Sequence, residues 1–430
     1  MKVLVIGSGA REHALVRALA ADPGVDSVIA APGNPGIDLE ARCEPLADPT
    51  NAPAVVELAT RHTVDLVVVG PEAPLVAGVA DALRTAGYAV YGPDAAAARL
   101  EGSKAFAKEV MASAGVPTAL AHVCTTEAEV VEALDALGAP HVVKEDGLAA
   151  GKGVVVTDDR QAALDHALAC LAKPGGQVVV EEYLDGPEVS VFCICDGTQV
   201  RALAAAQDFK RVGDDDSGPN TGGMGAYSPL PWAPAHFEQW VIEHVAQPVV
   251  DEMHRRGTPF VGTLYCGLAL TSRGPRVVEF NCRFGDPDGQ VSLARLVTPL
   301  GGLLYAAATG TLDSMDDLHH RPEAAVLVVV AAEGYPAQPR SGDVVGGLEE
   351  AAAVPGTSVL HAGTTRGEDG LVRSSGGRVV DVLALGADLA TARDAAYQGV
   401  RQITLDGSHH RTDIALAAAR GEVILPGGAG

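Results

Sequence analysis

Through the first hundred residues short apolar runs alternate with helix-period segments. Val3–Ile6, Ser27–Ala31 and Leu66–Val69 read as strands, each ending in a Gly- or Pro-containing turn, and Ala89–Tyr91 reads as a shorter one. Arg11–Ala20 and Pro74–Ala86 carry helical periodicity. Strand–helix alternation of this kind predicts a parallel, doubly wound α/β sheet. Ligands of such sheets sit at the carboxyl ends of the strands, which here carry Gly7–Gly9, Pro32–Gly36 and Gly70–Pro74.

The pattern changes near Gly102. Ser103–Ala114 predicts an amphipathic helix stopped by Gly115 and Pro117. A small α/β segment follows over about 120–185, with strands at Val142–Lys144, Val154–Val156 and Val178–Glu182. Further strands and a long helix, Phe237–Arg256, occupy 186–300, and the buried strand Ala324–Ala331 opens a last unit. The expected division is 1–102, 103–318 (with 120–185 as a small lobe) and 319–430.

Composition narrows the function classes. The 430 residues are 47% apolar but only 4% aromatic, so the core is mostly Ala, Val and Leu, as suits helices packed on parallel strands. A net charge of −24 argues against nucleic acid and anionic membrane as partners. It leaves room for anionic small ligands, since a few local cations outweigh the global sign. Seven cysteines without a C-x-x-C pair give neither a disulfide framework nor a zinc site. No apolar run approaches the ~18 residues of a membrane span, and the first residues lack a signal-peptide layout. A soluble, cytoplasmic protein is expected.

Several segments hold candidate chemistry. Gly7-Ser8-Gly9-Ala10-Arg11-Glu12 begins like a dinucleotide fingerprint, but Glu12 replaces its third glycine. The turn could offer N–H groups to a phosphate, or could simply need small residues. Between two Val-rich strands, Gly147, Gly151, Lys152 and Gly153 form a glycine-rich loop with Lys144 at its base; it reads as a flap over a triphosphate or as a surface hairpin. Lys104 stands at a helix start, where the dipole disfavours a cation unless an anion binds. Glu181, Glu182 and Leu184 end a strand and Glu188 follows a turn; backbone there could pair with an adenine edge and a carboxylate with ribose hydroxyls.

The strand Val277–Arg283 is the most informative. Alternation puts Val278, Phe280 and Cys282 on one face, and Glu279, Asn281 and Arg283 on the other. A carboxylate and an amide oxygen about 7 Å apart suit Mg²⁺ bridging phosphates, and Arg283 could grip a carboxylate or phosphoryl group. Asp286 and Asp288 follow in a turn. The run from Gly218 to Pro229, containing Asn220, Thr221, Gly222, Gly223, Met224 and Gly225, is expected to expose backbone N–H groups or admit a substrate closely; Asp208, Lys210 and Arg211 lie just upstream. His409-His410 lacks further ligands at metal spacing and reads as packing or surface.

Taken in order, VLVIGSGAREHAL (3–15), VVGPEAPLVAGVAD (68–81), GSKAFAK (102–108), VVKEDGLAAGKGV (142–154), QDFKRVGDDDSGPNTGGMGAYSP (207–229), VVEFNCRFGDPDGQ (277–290) and HAGT (361–364) resemble the ATP-grasp superfamily. Within it the resemblance is to the glycinamide ribonucleotide synthetase family and spans nearly the whole chain. It implies an N-terminal α/β domain, a central two-lobed ATP-grasp domain and a C-terminal α+β domain. It implies an ATP-dependent ligase that joins glycine to phosphoribosylamine through a glycyl phosphate, in purine synthesis, with Mg²⁺ or Mn²⁺. Lys104 and Lys144 would hold phosphates under the Gly147–Gly153 loop, with Lys152 beside them. Glu181, Glu182, Leu184 and Glu188 would surround the nucleoside, and Glu279 and Asn281 would bind the metal. Arg283 would orient the glycine carboxylate or its phosphate. Gly7, Gly9, Asp208, Asp286 and 220–225 would approach the substrates. A monomer is expected, with other purine-pathway enzymes as candidate partners.

Three positions depart from the family pattern: Glu145 and Phe209 where a small residue and a His are usual, and Asp288 in place of Glu. Alternation turns Glu145 away from Lys144. A different ATP-grasp ligase or carboxylase, an NAD-dependent oxidoreductase and an inactive nucleotide binder are the competing readings. The missing biotin-carrying Met-Lys-Met segment, the missing third glycine and the intact Lys104, Lys144, Glu279 and Asn281 weigh against them in turn. If the glycine-rich loop is a flap, Mg-ATP will protect 147–153 from limited proteolysis; unchanged cleavage would remove that role.

Overall fold

Lys2–Gly7, with Val3–Ile6 wholly buried, is the middle strand of five. In this computed structural model, which describes residues 1–148 and 153–427, the parallel sheet runs Arg42–Cys43, Ser27–Pro32, Lys2–Gly7, Leu66–Val69, Ala89–Tyr91. Strand order reverses on either side of Lys2–Gly7, so a crevice opens at Gly7–Gly9. The helix expected over 74–86 is two, Glu72–Val76 and Val79–Thr85, broken where Gly78 takes a left-handed φ of 84°.

The central part has two lobes. The smaller is an antiparallel sheet ordered Ala121–Cys124, Val178–Glu181, His141–Glu145, Val154–Thr157. Helices Glu127–Leu137 and Arg160–Leu171 close its own core around Val130, Leu134, Val143 and Val180. The larger is ordered Val200–Ala202, Glu188–Asp196, Val261–Thr271, Gly274–Asn281, again antiparallel. Helix Lys104–Ala114 begins on the N-cap Ser103, whose Oγ accepts from Phe106 N at 3.1 Å. The helix expected over 237–256 is one rod with a π turn at Ile242–Ala246 between Phe237–Val241 and Gln247–Arg255.

The third sheet is ordered Gln207–Asp208, Gly225–Ser228, Ala324–Ala331, Arg378–Gly386, Thr357–His361. Two of its strands thus come from the Gly-rich block and the segment before it. Gly225 must be glycine here, because a Cβ would stand 2.7 Å from both Leu327 O and the Ile414 side chain. Together the sheets give the mixed α/β architecture expected: parallel N-terminal sheet, two-lobed centre, antiparallel C-terminal sheet with helix Leu389–Val400 on it.

The face assignment around Glu279 needs one correction. Gly267 faces Glu279 across the sheet while Leu268 faces Val277, so Val278 is a bulged extra residue. Val277 is therefore buried with Phe280 and Cys282, and Val278 is not. A bulge adds one residue to one strand and resets the alternation. Glu279 and Asn281 still share a face, and Arg283 lies just past the strand.

Arg295 joins the parts. Buried to 7% exposure, it donates to Glu323 O at 2.8 Å, Ser228 Oγ at 2.9 Å and Arg321 O at 3.2 Å. Arg295→Ala would strand these acceptors and cost about 3 kcal/mol, read by urea denaturation; a loss below about 0.5 kcal/mol, the scale of an ordinary surface substitution, would refute the role.

Candidate active site

Four elements meet in the cleft between the lobes. Lys104 starts its helix, Lys144 lies near the end of strand His141–Glu145, Glu181 ends its strand, and Glu279 and Asn281 end theirs. All of them line one pocket with Lys108. Glu181 is the centre of the charge arrangement. Its Oε2 takes Lys144 Nζ at 2.9 Å and its Oε1 takes Lys108 Nζ at 3.2 Å. Lys144 also donates to Val278 O at 3.0 Å, the carbonyl freed by the bulge. Lys104 Nζ reaches Gly147 O at 3.0 Å at the base of the loop. Gly151 and Lys152 lie outside the described residues; Gly153 is buried, and its carbonyl accepts from Glu145 N at 2.7 Å.

The lysines feel their confinement. Burial and the neighbouring Lys144 lower the pKa of Lys104 and Lys108 against the pull of Glu279 and Glu181 respectively. Burial pushes Glu279 up, but Lys210, Lys144, Lys104 and Arg283 outweigh it and hold the carboxyl below its ordinary range. A carboxylate kept ionised among cations, beside an amide oxygen, is a hard-donor pair.

The nucleoside-side residues divide. Glu181 faces Lys108 and Lys144. Glu182 holds Leu120 N at 3.0 Å and Arg273 at 2.9 Å. Glu188 pairs with Lys210 at 2.5 Å. Leu184 is half-buried past the strand end.

A second cluster sits where the three parts of the chain meet. Arg283 is gripped by Glu101 at 3.0 Å and Glu72 at 3.2 Å, and Glu101 also accepts from Cys282 N at 2.7 Å. Glu12, in the place of the third glycine, accepts from Gly9 N at 2.7 Å and from Arg11 Nε at 2.5 Å. Gly7 and Gly70 make room for it, since a Cβ on either would meet its side chain within 2.5 Å. One donor expected to face a phosphate is thus spent internally.

The Gly-rich block corrects a further expectation. Thr221 N donates to Lys210 O at 2.7 Å, Gly222 N to Tyr335 OH at 2.9 Å, Gly223 N to Thr221 Oγ1 at 2.9 Å and Met224 N to Phe209 O at 2.7 Å. Its N–H groups brace the block instead of lying free. Asn220 pairs with Arg211 in the preceding hairpin and Gly225 enters the C-terminal sheet. Arg378, from that sheet, donates to Gly222 O and Asp286 O, each at 2.7 Å, and pairs with Asp286 Oδ1 at 3.2 Å. Asp208 is pushed up to about 7 by burial, against Lys210 and with Asp288. His361 ties the parts further: its N–H donates to His13 Nδ1 at 2.8 Å, and Asn34 Nδ2 bridges His361 O and Ser8 O.

Glu72, Glu101, Lys108, Tyr335 and Arg378 belong to these clusters and were not expected there. Glu72 and Lys108 lie inside quoted segments, so position alone pointed to them; Tyr335 and Arg378 carry no sequence signal.

With the site described, comparison with known proteins is decisive. Family models match in order: phosphoribosylglycinamide synthetase N domain over 1–101, its ATP-grasp (A) domain over 102–289 and its C domain over 325–417. The chain is 63% identical over 97% of its length to phosphoribosylamine–glycine ligase of Streptomyces coelicolor, covering 100% of it. The Mycobacterium tuberculosis protein of the same name is 56% identical, covering 99% and 100%. A solved structure, phosphoribosylamine–glycine ligase of Thermotoga maritima, superposes with a TM-score of 0.82 at 30% identity, covering 96% of this chain and 100% of that one.

The chain belongs to the phosphoribosylglycinamide synthetase family.

The family's ATP-grasp architecture carries ATP and a divalent metal. Among the described residues no three His, Cys, Asp or Glu side chains form a metal cage. Glu279 with Asn281 nevertheless fits the mode in which Mg²⁺ takes one or two protein oxygens and completes its shell with phosphates and water. The departures from the family pattern find structural partners. Glu145 turns away from Lys144 and pairs with Lys173 at 2.5 Å. Phe209 lies 4.7 Å under the Arg411 guanidinium. Asp288 is buried against Gly285, where its shorter side chain fits, and burial raises its pKa. If Glu279 donates to the metal, Glu279→Ala will lower metal-dependent turnover on the order of 10²-fold with an unchanged melting temperature. Undiminished turnover would remove Glu279 from the metal site.

Proposed function

We propose that this chain is an ATP-dependent carbon–nitrogen ligase that joins glycine to 5-phospho-D-ribosylamine in purine biosynthesis, releasing ADP and phosphate. The observation that carries the reading is the convergence of Lys104, Lys144, Glu279 and Asn281 on one pocket, with the Arg283 and Asp286 cluster adjoining it. Glycine carboxylate is a poor electrophile, so its oxygen first attacks the γ-phosphorus of ATP, giving glycyl phosphate and ADP. The amine of phosphoribosylamine then attacks the acyl carbon, phosphate leaves and the nitrogen gives up a proton.

Phosphoryl transfer asks for positioning and charge neutralisation, not a side-chain nucleophile. Lys104 and Lys144 neutralise phosphate oxygens, and Lys108 keeps Glu181 placed so that Lys144 is fixed. Glu279 and Asn281 would hold a Mg²⁺ or Mn²⁺, which would supply Lewis acidity at the phosphates. Arg283 is released in part from Glu72 to receive the glycine carboxylate. Gly9, Asp208, Asp286 and the 220–225 block form the wall against which the amine and its ribose phosphate lie. The acyl phosphate has to be kept from water, the task expected of the glycine-rich loop, of which Gly151 and Lys152 lie outside the described residues. No helix among the described residues is long and apolar enough to cross a membrane.

The test is ADP release from purified protein with Mg-ATP, glycine and phosphoribosylamine generated in situ, omitting each in turn. ADP only with all components, and glycinamide ribonucleotide by mass, is expected. ADP formation independent of glycine would overturn the reading.

A further inference from the structure

The wall of the site rests on a carboxyl that no motif contains. Asp381 lies mid-way along strand Arg378–Gly386, between Val329 and Leu360 on the neighbouring strands, and is 0% exposed. Its sheet face is otherwise apolar and packs against helix Asp288–Arg295. From that helix Gln290 Nε2 reaches Asp381 Oδ2 at 3.3 Å and Asp286 Oδ1 at 3.0 Å. One amide therefore bridges two carboxyl groups. Asp286 also pairs with Arg378, which holds Gly222 O; a Cβ on Gly9 would lie 3.7 Å from Asp286 Oδ2. Asp381 Oδ1 and Gln290 Oε1 are buried without a partner.

We propose that Asp381 is a positioning residue of this enzyme: through Gln290 it fixes Asp286, and with it the substrate wall formed by Gly9 and Gly222. The inference rests on the ligase reading for what the wall binds.

Two carboxylates on one amide, one wholly and one mostly buried, cannot both be ionised cheaply. Asp286 has Arg378 in contact, with Arg11 and Arg283 nearby, and stays below its ordinary range despite burial. Asp381 has no cation in contact among the described residues; burial and the charge of Asp286 push it up to about 8, against Arg378 and Gln290. The proton of the pair sits on Asp381. Ionising it sets two negative oxygens on Gln290 and loosens Asp286. Asparagine, isosteric with the neutral acid, keeps the acceptor oxygen and cannot ionise.

The linkage sign follows. A carboxyl whose folded pKa is raised stabilises below its unfolded value of about 4 and loses that stabilisation as pH climbs to about 8. Wild type should therefore lose melting temperature relative to Asp381→Asn between about pH 5 and pH 8. Near pH 7 Asp381→Asn should keep wild-type kcat/KM for glycine and for phosphoribosylamine, and lack the alkaline fall that wild type shows near pH 8. Asp381→Ala should lose about 10- to 100-fold in kcat/KM, mainly through KM. The proposal is overturned if the Asn variant is as impaired as the Ala variant at pH 7, or if wild type and Asp381→Asn share one pH profile in activity and melting. A wild type inactive with glycine would count against the ligase reading alone; the melting comparison depends on Asp381 and still decides the linkage.

Discussion

Glu181 is the residue on which the cleft depends. Lys104, Lys108 and Lys144 line one pocket, and three cations taken from water would repel one another without counter-charge. A buried carboxylate, giving one oxygen to Lys108 and one to Lys144, supplies it for those two, while Glu279 acts on Lys104. Breaking a buried pair costs far more than the pair contributes, so Glu181 cannot be removed without leaving uncompensated lysines. The same contact fixes Lys144 at the height of the Val278 carbonyl. Cations held in place before the nucleotide arrives require little reorganisation during phosphoryl transfer, which is where such sites gain their rate.

The second half of the site exists because the chain parts interlock. The Gly-rich block belongs by sequence to the central region but pairs with Ala324–Ala331 of the C-terminal sheet. Arg378 closes the junction on Gly222 and Asp286, and Asn34 closes another between Ser8 and His361. The substrate wall is thus a seam, and distortions of any one part reach Asp286.

Sequence reading reached the residues whose chemistry is local. Lys104, Lys144, Glu279 and Asn281 stood out by type and spacing, and they meet in the cleft. It failed where a third element decides the outcome. The bulge at Val278 depends on how Gly267 opposes Glu279 across the sheet, which alternation along one strand does not reveal. The N–H groups of 221–224 looked free because three of their acceptors, Lys210 O, Tyr335 OH and Phe209 O, lie outside the block, and the fourth, Thr221 Oγ1, reaches Gly223 N only once the block is folded. Arg378 is one arginine in an apolar strand, and only the sheet order brings it to Asp286. Glu12 is instructive in the other direction: its departure from a dinucleotide fingerprint was visible, and its consequence, a carboxylate seated on Gly9 N, follows from the same helix N-terminus that would otherwise attract a phosphate.

Distance reconciles a net charge of −24 with ligands that are a nucleoside triphosphate and a sugar phosphate. At physiological ionic strength charges are screened beyond about 8 Å, so an anion in the cleft responds mainly to the groups around it. There Lys104, Lys108, Lys144 and Lys210 face Glu181, Glu188 and Glu279, and each of those carboxylates is already shared with a lysine. The local balance favours anions although the surface does not. Glu279 shows the result, ionised below its ordinary range despite burial. The acidic exterior then costs the active site little. What must be conserved for function is the sign of the charge inside one cleft, and that is set by fewer than ten side chains.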